Sequence, residues 1–357
     1  EKEYGAELVP GGARFGVGGG TPDFTKGTTW CLDVLGALKD PNRNVPAKNH
    51  WTLVDTALEV RPYCCPTASL IEINADGQTV SHKWFMISGQ NSDGDQTGTV
   101  EEIEFTDPSP RWRKVGDILQ PLATTKAVLL PDGKVLIGQG VNRSDNCTVG
   151  GQPCTYEEKE GLHFQMFDPE NGSIRKLTKT TVSRGLHGTA TLLPDATVFF
   201  AGENREALVR PDDPSFPLTT SYAGELPAGD PDQGVPVGQV FSPPYLFKSD
   251  GTPAARPAIE KWPAKVTYGG HFDITVAGNP SQIASVVVLR SDHNTHSLTT
   301  GDRYVKLSFQ QKGAAQKREL RFRAPKLPAQ AIPGVYMLFV VDQNGVPSKG
   351  RRLDVGA

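Results

Sequence analysis

The sequence predicts an all-β chain: a β-propeller, incomplete within these residues at about four blades, followed by an immunoglobulin-like β-sandwich. Three observations carry that prediction. Glycine and proline are abundant, 38 and 29 of 357 residues, and lie between short apolar segments along the whole chain, as turns between strands do. A hairpin pattern repeats before residue 252. After Pro257 the pattern becomes short alternating strands at close spacing. The expected division is 1–252 for the blades and 253–357 for the sandwich.

The repeats are LVPGGARFGVGGG from Leu8, SLIEINADGQTVSHKWFMISGQ from Ser69, VLLPDGKVLIGQG from Val128 and TLLPDATVFFAGE from Thr191. In each, bulky apolar residues flank a turn rich in Asp, Gly or Pro, so each reads as a hairpin with both strands buried. Their spacing of roughly 50 to 70 residues suits propeller blades with loop insertions. EEIEFTDPSPRWRKV and LHFQMFDPENGSIRKL then supply outer blade strands. A lone four-stranded sheet cannot cover both of its faces. Radial packing of several sheets does so, and small residues at the inner strand ends let the strands crowd the axis.

Closed rings of this kind use more blades than these hairpins provide. The expectation is that an N-terminal propeller fragment or another chain completes the ring. The segment SPPYLFKSDGTPAARP reads as a hinge. Beyond it, HFDITV, SVVVLR, RYVKLSF, ELRFRAP and GVYMLFVVD read as sandwich strands over about 100 residues. The tryptophans Trp84, Trp112 and Trp262 are expected in the core, and His163 along an outer strand.

The formal net charge is −3. That near-neutral balance argues against nucleic acid as a partner. No apolar run approaches the roughly 20 residues of a membrane span. There is no G-x-S-x-G elbow and no P-loop. Sequons stand at Asn142, Asn146 and Asn171, which points to a secreted glycoprotein. Of five cysteines, Cys147 and Cys154 bracket the loop CTVGGQPC and read as a local disulfide. Cys64 and Cys65 are the candidate partners of Cys31, and such a pairing leaves one cysteine over.

SRGLHGTATLLPDATVFFAGEN, then VFSPPYLFKSDGTPAARPAI, HNTHSLTTGDR and PGVYMLFVVDQNGVPS, together resemble the galactose oxidase and glyoxal oxidase family. The likeness runs from about Arg61 to the C-terminus and is strongest from Thr181; residues 1–60 match more loosely. The resemblance implies a seven-bladed kelch-like propeller before the sandwich. It also implies a mononuclear copper and a tyrosyl radical that oxidise a primary alcohol or aldehyde and release hydrogen peroxide. In the family, a Tyr-His pair precedes the strand that reads LLPDG. Here that pair is Leu186-His187. The family's second histidine, in a Thr-His-Ser/Thr motif, corresponds to His296, and His293 is a weaker substitute ligand. The crosslinked cysteine and tyrosine have no assignable counterpart. Without the resemblance, a histidine at a strand start reads as a hydrogen-bonded rim residue.

Leucine neither ligates copper nor moves a proton. Loss of a general base lowers a rate by about 10²–10⁴-fold. Two functions follow as expectations. One is a secreted or cell-surface protein with lost or altered catalysis, serving as a structural or glycan-binding component of an extracellular assembly. The other is an active copper oxidase.

Overall fold

The computed structural model describes residues 28–32, 51–59, 61, 66–89, 96–122, 125–140, 143–149, 152–155, 163–179, 188–202, 238–290, 294–295, 298–299, 303–312 and 318–356. Strands β1 (Thr28–Leu32) and β2 (Trp51–Thr56) form an antiparallel hairpin. Then β3 (Thr67–Ile73), β4 (Thr79–Ile87), β5 (Thr99–Glu104) and β6 (Arg113–Asp117) make an antiparallel four-strand meander. A second blade orders β7 (Lys126–Leu129), β8 (Val135–Gly138), β11 (His163–Phe167) and β12 (Ile174–Lys179) in the same way. The hairpin of β9 (Arg143–Val149) and β10 (Gln152–Thr155) is an insertion between its second and third strands. Among the described residues the third sheet has three strands, β13 (Gly188–Leu192), β14 (Val198–Gly202) and β15 (Gln239–Phe241). Three of the four expected hairpins are therefore present as β3–β4, β7–β8 and β13–β14. The one expected from Leu8 lies outside the described residues.

The turns follow from the residues that make them. Leu130-Pro131-Asp132-Gly133 closes β7 on β8, with Gly133 at φ +83° and its N–H donating to Leu130 O at 3.0 Å. Every residue of β7 and β8 is buried, which is why both strands read as apolar runs and not as alternating ones. The aromatic pairs Phe85–Phe167, at 5.3 Å between centroids, and Phe164–Phe200, at 5.1 Å, join the sheets face to face. That is the radial packing expected of blades.

Strands β16 (Ile259–Lys261) and β17 (Lys265–Val266) open the sandwich, followed by β18 (His271–Val276) and β19 (Ile283–Arg290). A small hairpin, β20 (Asn294–Thr295) and β21 (Leu298–Thr299), leaves after β19. The rest are β22 (Arg303–Leu307), β23 (Phe309–Lys312), β24 (Glu319–Arg323), β25 (Gly334–Asp342) and β26 (Arg351–Val355). One sheet orders β16-β18-β24-β23. The other orders β17-β26-β25-β19-β22 and continues through a parallel β22–β3 pairing into the first blade, giving nine strands in all.

The middle of that continuous sheet is buried on both faces. Val286 and Val288 of β19 pack in the sandwich core with Ile71 and Ile73 of β3. Val287 and Leu289 point the other way, into the core shared with the blades. The strand period of two divides one apolar run between two cores. Gln330 adds a clasp, donating from Nε2 to Gly77 O at 3.0 Å and to Thr79 Oγ1 at 2.9 Å. Trp112 is buried and bonds Thr29 Oγ1 through Nε1 at 2.8 Å, while Trp84 packs beside it. Trp262 departs from expectation. It is 36% exposed, donates to Arg352 O at 3.0 Å and lies 4.7 Å beneath the Arg351 guanidinium. The indole keeps its polar edge satisfied at the surface and takes a cation on its face. His163 lies on β11, the third strand of its blade.

Candidate functional site at the blade axis

His187, His293, His296 and Leu186 lie outside the described residues. The strands next to His187 and His296 in the sequence are described. Strand β13 begins at the residue after His187, and β20 ends at the residue before His296. These two strands are in contact. The β20–β21 hairpin also touches β7 and β3, so one projection of the sandwich meets the first strand of all three blades.

The chain keeps a recurrent geometry at this end of the blades. The pairs Thr67↔Met86, Lys126↔Gly138 and Gly188↔Gly202 put each first strand's start beside its second strand's exit. At those exits Ser88 and Gln139 both have φ of +57°, followed by Gly89 at +119° and Gly140 at +123°; Gly202 takes the same place at +76°. A non-glycine residue held there costs about 1–3 kcal/mol, so surrounding contacts must fix it. Ser88 Oγ lies 2.8 Å from Thr97 O and 2.9 Å from Leu122 O, and accepts from Leu122 N at 3.2 Å. Lys126 is fully buried at the same end. Gln139 Oε1 and Thr189 Oγ1 are buried there without a hydrogen-bond partner among the described residues. Orphaned groups of this kind are ones that an ion, water or ligand satisfies.

The donor set gives a divided answer on copper. Two imidazole-bearing segments on touching elements suit Cu(II), which favours nitrogen and oxygen donors. Leu186 supplies neither a donor nor a base. Among the described residues no group of three or more His, Cys, Asp or Glu side chains is placed to hold a metal.

The other predicted sites divide similarly. Cys147 and Cys154 sit on β9 and β10. Those strands pair Val149 with Gln152 and Thr148 with Pro153, and the register shifts between Pro153 and Thr155, where Cys154 lies. Cys31 lies on β1, and Cys64 and Cys65 fall outside the described residues. Asn171 is exposed in the β11–β12 turn, where Oδ1 accepts from Ser173 N at 2.8 Å. Asn146 is on β9, and Asn142 lies outside the described residues.

Sequence reasoning missed a buried ionic network beside the first blade. Arg61 donates to Glu101 Oε1, to Glu59 Oε2 at 3.3 Å and to Thr99 O at 3.3 Å. Glu101 is fully buried and also accepts from Leu58 N at 2.6 Å. The only signal was EEIE, where a strand places a glutamate on its buried face.

Residues 256–355 match the family described as Galactose oxidase-like, Early set domain. The chain is thus an all-β protein carrying that domain behind propeller-type blades. Its sequence is similar to proteins named as aldehyde oxidase and galactose oxidase. It is 30% identical to "Aldehyde oxidase GLOX" of Vitis pseudoreticulata over 267 residues, covering 73% of this chain and 46% of that protein. It is 29% identical to "Galactose oxidase" of Gibberella zeae over 224 residues, covering 62% of this chain and 28% of that one. This chain therefore spans less than half the length of both relatives. A fungal alcohol oxidase solved in complex with copper shares the fold, with a TM-score of 0.65, 23% identity, and coverage of 93% of this chain and 60% of that one.

Proposed function

We propose that this chain is the C-terminal portion of a secreted oxidase-type protein that keeps a two-histidine copper site, His187 and His296, while its oxidation chemistry is altered by Leu186. The observation that carries this is the contact of β13 with β20. It joins two sequence-distant strands, one starting just after His187 in the sequence and the other ending just before His296. Copper, when bound, supplies the redox partner for oxidising a primary alcohol or aldehyde. The chain's own part is to present the two imidazoles on a packed blade and an inserted hairpin. At residue 186 it offers no group to take the substrate's proton, and the rate consequence is about 10²–10⁴-fold.

The same leucine favours a second reading, in which the fold serves extracellular binding or assembly. The third sheet has three strands among the described residues, against four in the two before it. A strand from an N-terminal propeller fragment or a second chain would complete it, because open sheet edges recruit strands. The 147–154 disulfide and glycans on Asn142, Asn146 and Asn171 belong to this extracellular setting.

The test is copper per chain by mass spectrometry after copper loading, for the wild type and for His187→Ala/His296→Ala. Near one copper, lost in the double variant, is expected. Leu186→Tyr in the copper-loaded protein should then raise peroxide release from primary alcohols or aldehydes. No copper in the wild type would overturn the metal site. Copper with no gain from Leu186→Tyr would overturn the claim that this residue limits turnover.

A further inference from the structure

A cavity of about 680 Å³ opens at the end of the blades opposite the starts of β7 and β13. Its size falls within the roughly 300–1,000 Å³ of small-molecule sites, which favour domain junctions. Four segments of the chain meet there: the β7–β8 turn, the β11–β12 turn, the hinge around Tyr245, and the sandwich turn 342–346.

The walls are rigid by construction. Tyr245 OH donates to Ala196 O at 2.6 Å, tying the hinge to the third blade. Arg256 donates to Asp195 O at 2.7 Å on one side, and to Pro347 O at 2.8 Å and Ser348 O at 2.6 Å on the other. Gly350 N donates to Pro194 O at 2.6 Å. A site held this way loses little ordering entropy when it binds.

Its chemistry is balanced. Three acids, Asp132, Asp168 and Asp342, face three bases, Lys134, Arg175 and Lys248. The acids are partly engaged. Asp132 pairs with Lys134 at 2.9 Å, and burial pushes its carboxyl above the usual range against the pull of that lysine. Asp342 accepts from Asn344 N and Val346 N at 2.8 and 2.9 Å, and Asp168 accepts from Glu170 N at 3.0 Å. Neither a net anion nor a net cation is favoured by such a lining. A neutral ligand dense in both hydroxyl donors and acceptors uses both signs at once. The Phe247 ring, 42% exposed at the rim, supplies the flat apolar surface on which the C–H face of a sugar ring packs.

We infer that this cavity is a binding site for a neutral saccharide, with Phe247 as the stacking platform and Asp168, Arg175 and Lys248 reading its hydroxyls. This deepens the glycan-binding reading and does not depend on copper.

The test titrates the protein with neutral galacto-, gluco- and manno-oligosaccharides by calorimetry and ligand-observed NMR. At least one series should bind with a dissociation constant of about 1 mM or tighter. Phe247→Ala should weaken it about tenfold with an unchanged melting temperature, because that ring is exposed. Asp168→Ala should also weaken it, and His187→Ala/His296→Ala should leave it intact. Binding lost only in the histidine variant would place the sugar at the blade axis and overturn the proposal. No binding in any of the three series would also overturn it.

Discussion

The first blade and the outer sheet of the sandwich handle charge in opposite ways. In the blade, Glu101 is fully buried and Arg61 nearly so, and their ion pair is wrapped by Glu59, Thr99 and backbone N–H groups. In the sandwich, Asp273 meets Arg321 at 2.8 Å and Lys312 at 2.8 Å in the open. Both clusters are rich in contacts. Burial, more than contact number, decides how much the fold depends on each, because water replaces a lost surface partner and cannot reach a buried one.

The largest effect expected from breaking this contrast is at Arg61. Arg61→Leu strands the Glu101 carboxylate in the blade and should destabilise by about 3–5 kcal/mol, read as a lower urea midpoint. Arg61→Leu/Glu101→Leu should lose less than the single variant, since it removes the orphaned charge. A single-variant loss as small as that of a surface pair would erase the distinction between the two regions.

A middle-sized effect comes from a neutral group in the same blade. His82 accepts from Trp84 Nε1 at 3.0 Å and packs on Phe105 with centroids 5.4 Å apart. Desolvation, helped by the Arg303 charge, holds its pKa down to about 3. The folded state thus resists a proton that the unfolded chain takes up near 6.5. Stability from this residue is complete above pH 6.5 and falls as pH drops toward 3, by up to about 1.4 kcal/mol per pH unit. His82→Gln keeps an acceptor and does not titrate. Its unfolding midpoint should fall less than the wild type's between pH 7 and pH 4; parallel curves would refute the assignment.

The smallest effect is expected at the open cluster. The Arg321 hydrogen bonds, with Lys312 behind them, lower the Asp273 pKa to about 2. Exposure still screens the pair, so Asp273→Asn should change stability by less than about 1 kcal/mol, and less again at high salt. A larger loss would mean that the sheet edge depends on this cluster.

What was legible in the sequence follows from period and turn chemistry. LLPDG between apolar runs announced β7–β8, and HFDITV showed its alternation directly. The double-sided burial of SVVVLR was visible as an unbroken apolar run, but which two cores it divides was not. Trp262 shows the limit from the other side, because an indole is as comfortable beneath an arginine at the surface as in a core. At the candidate site, residue types pointed to two histidines, and the docking of β20–β21 against β13 is what connects their segments.

By itself, then, the sequence determined the all-β class, the turns of the described hairpins and the sandwich strands. Those are local matters, set by side-chain period, by turn residues and by the chemistry of single groups. Only the tertiary structure decided that β22 pairs with β3 to join blade and sandwich in one sheet. The same holds for the partnership of Arg61 with Glu101 across 40 positions, and for the balanced cavity formed by two blade turns, a hinge and a sandwich turn. Those are contacts between residues far apart in sequence, selected by the joint packing of whole sheets, and no local pattern encodes them.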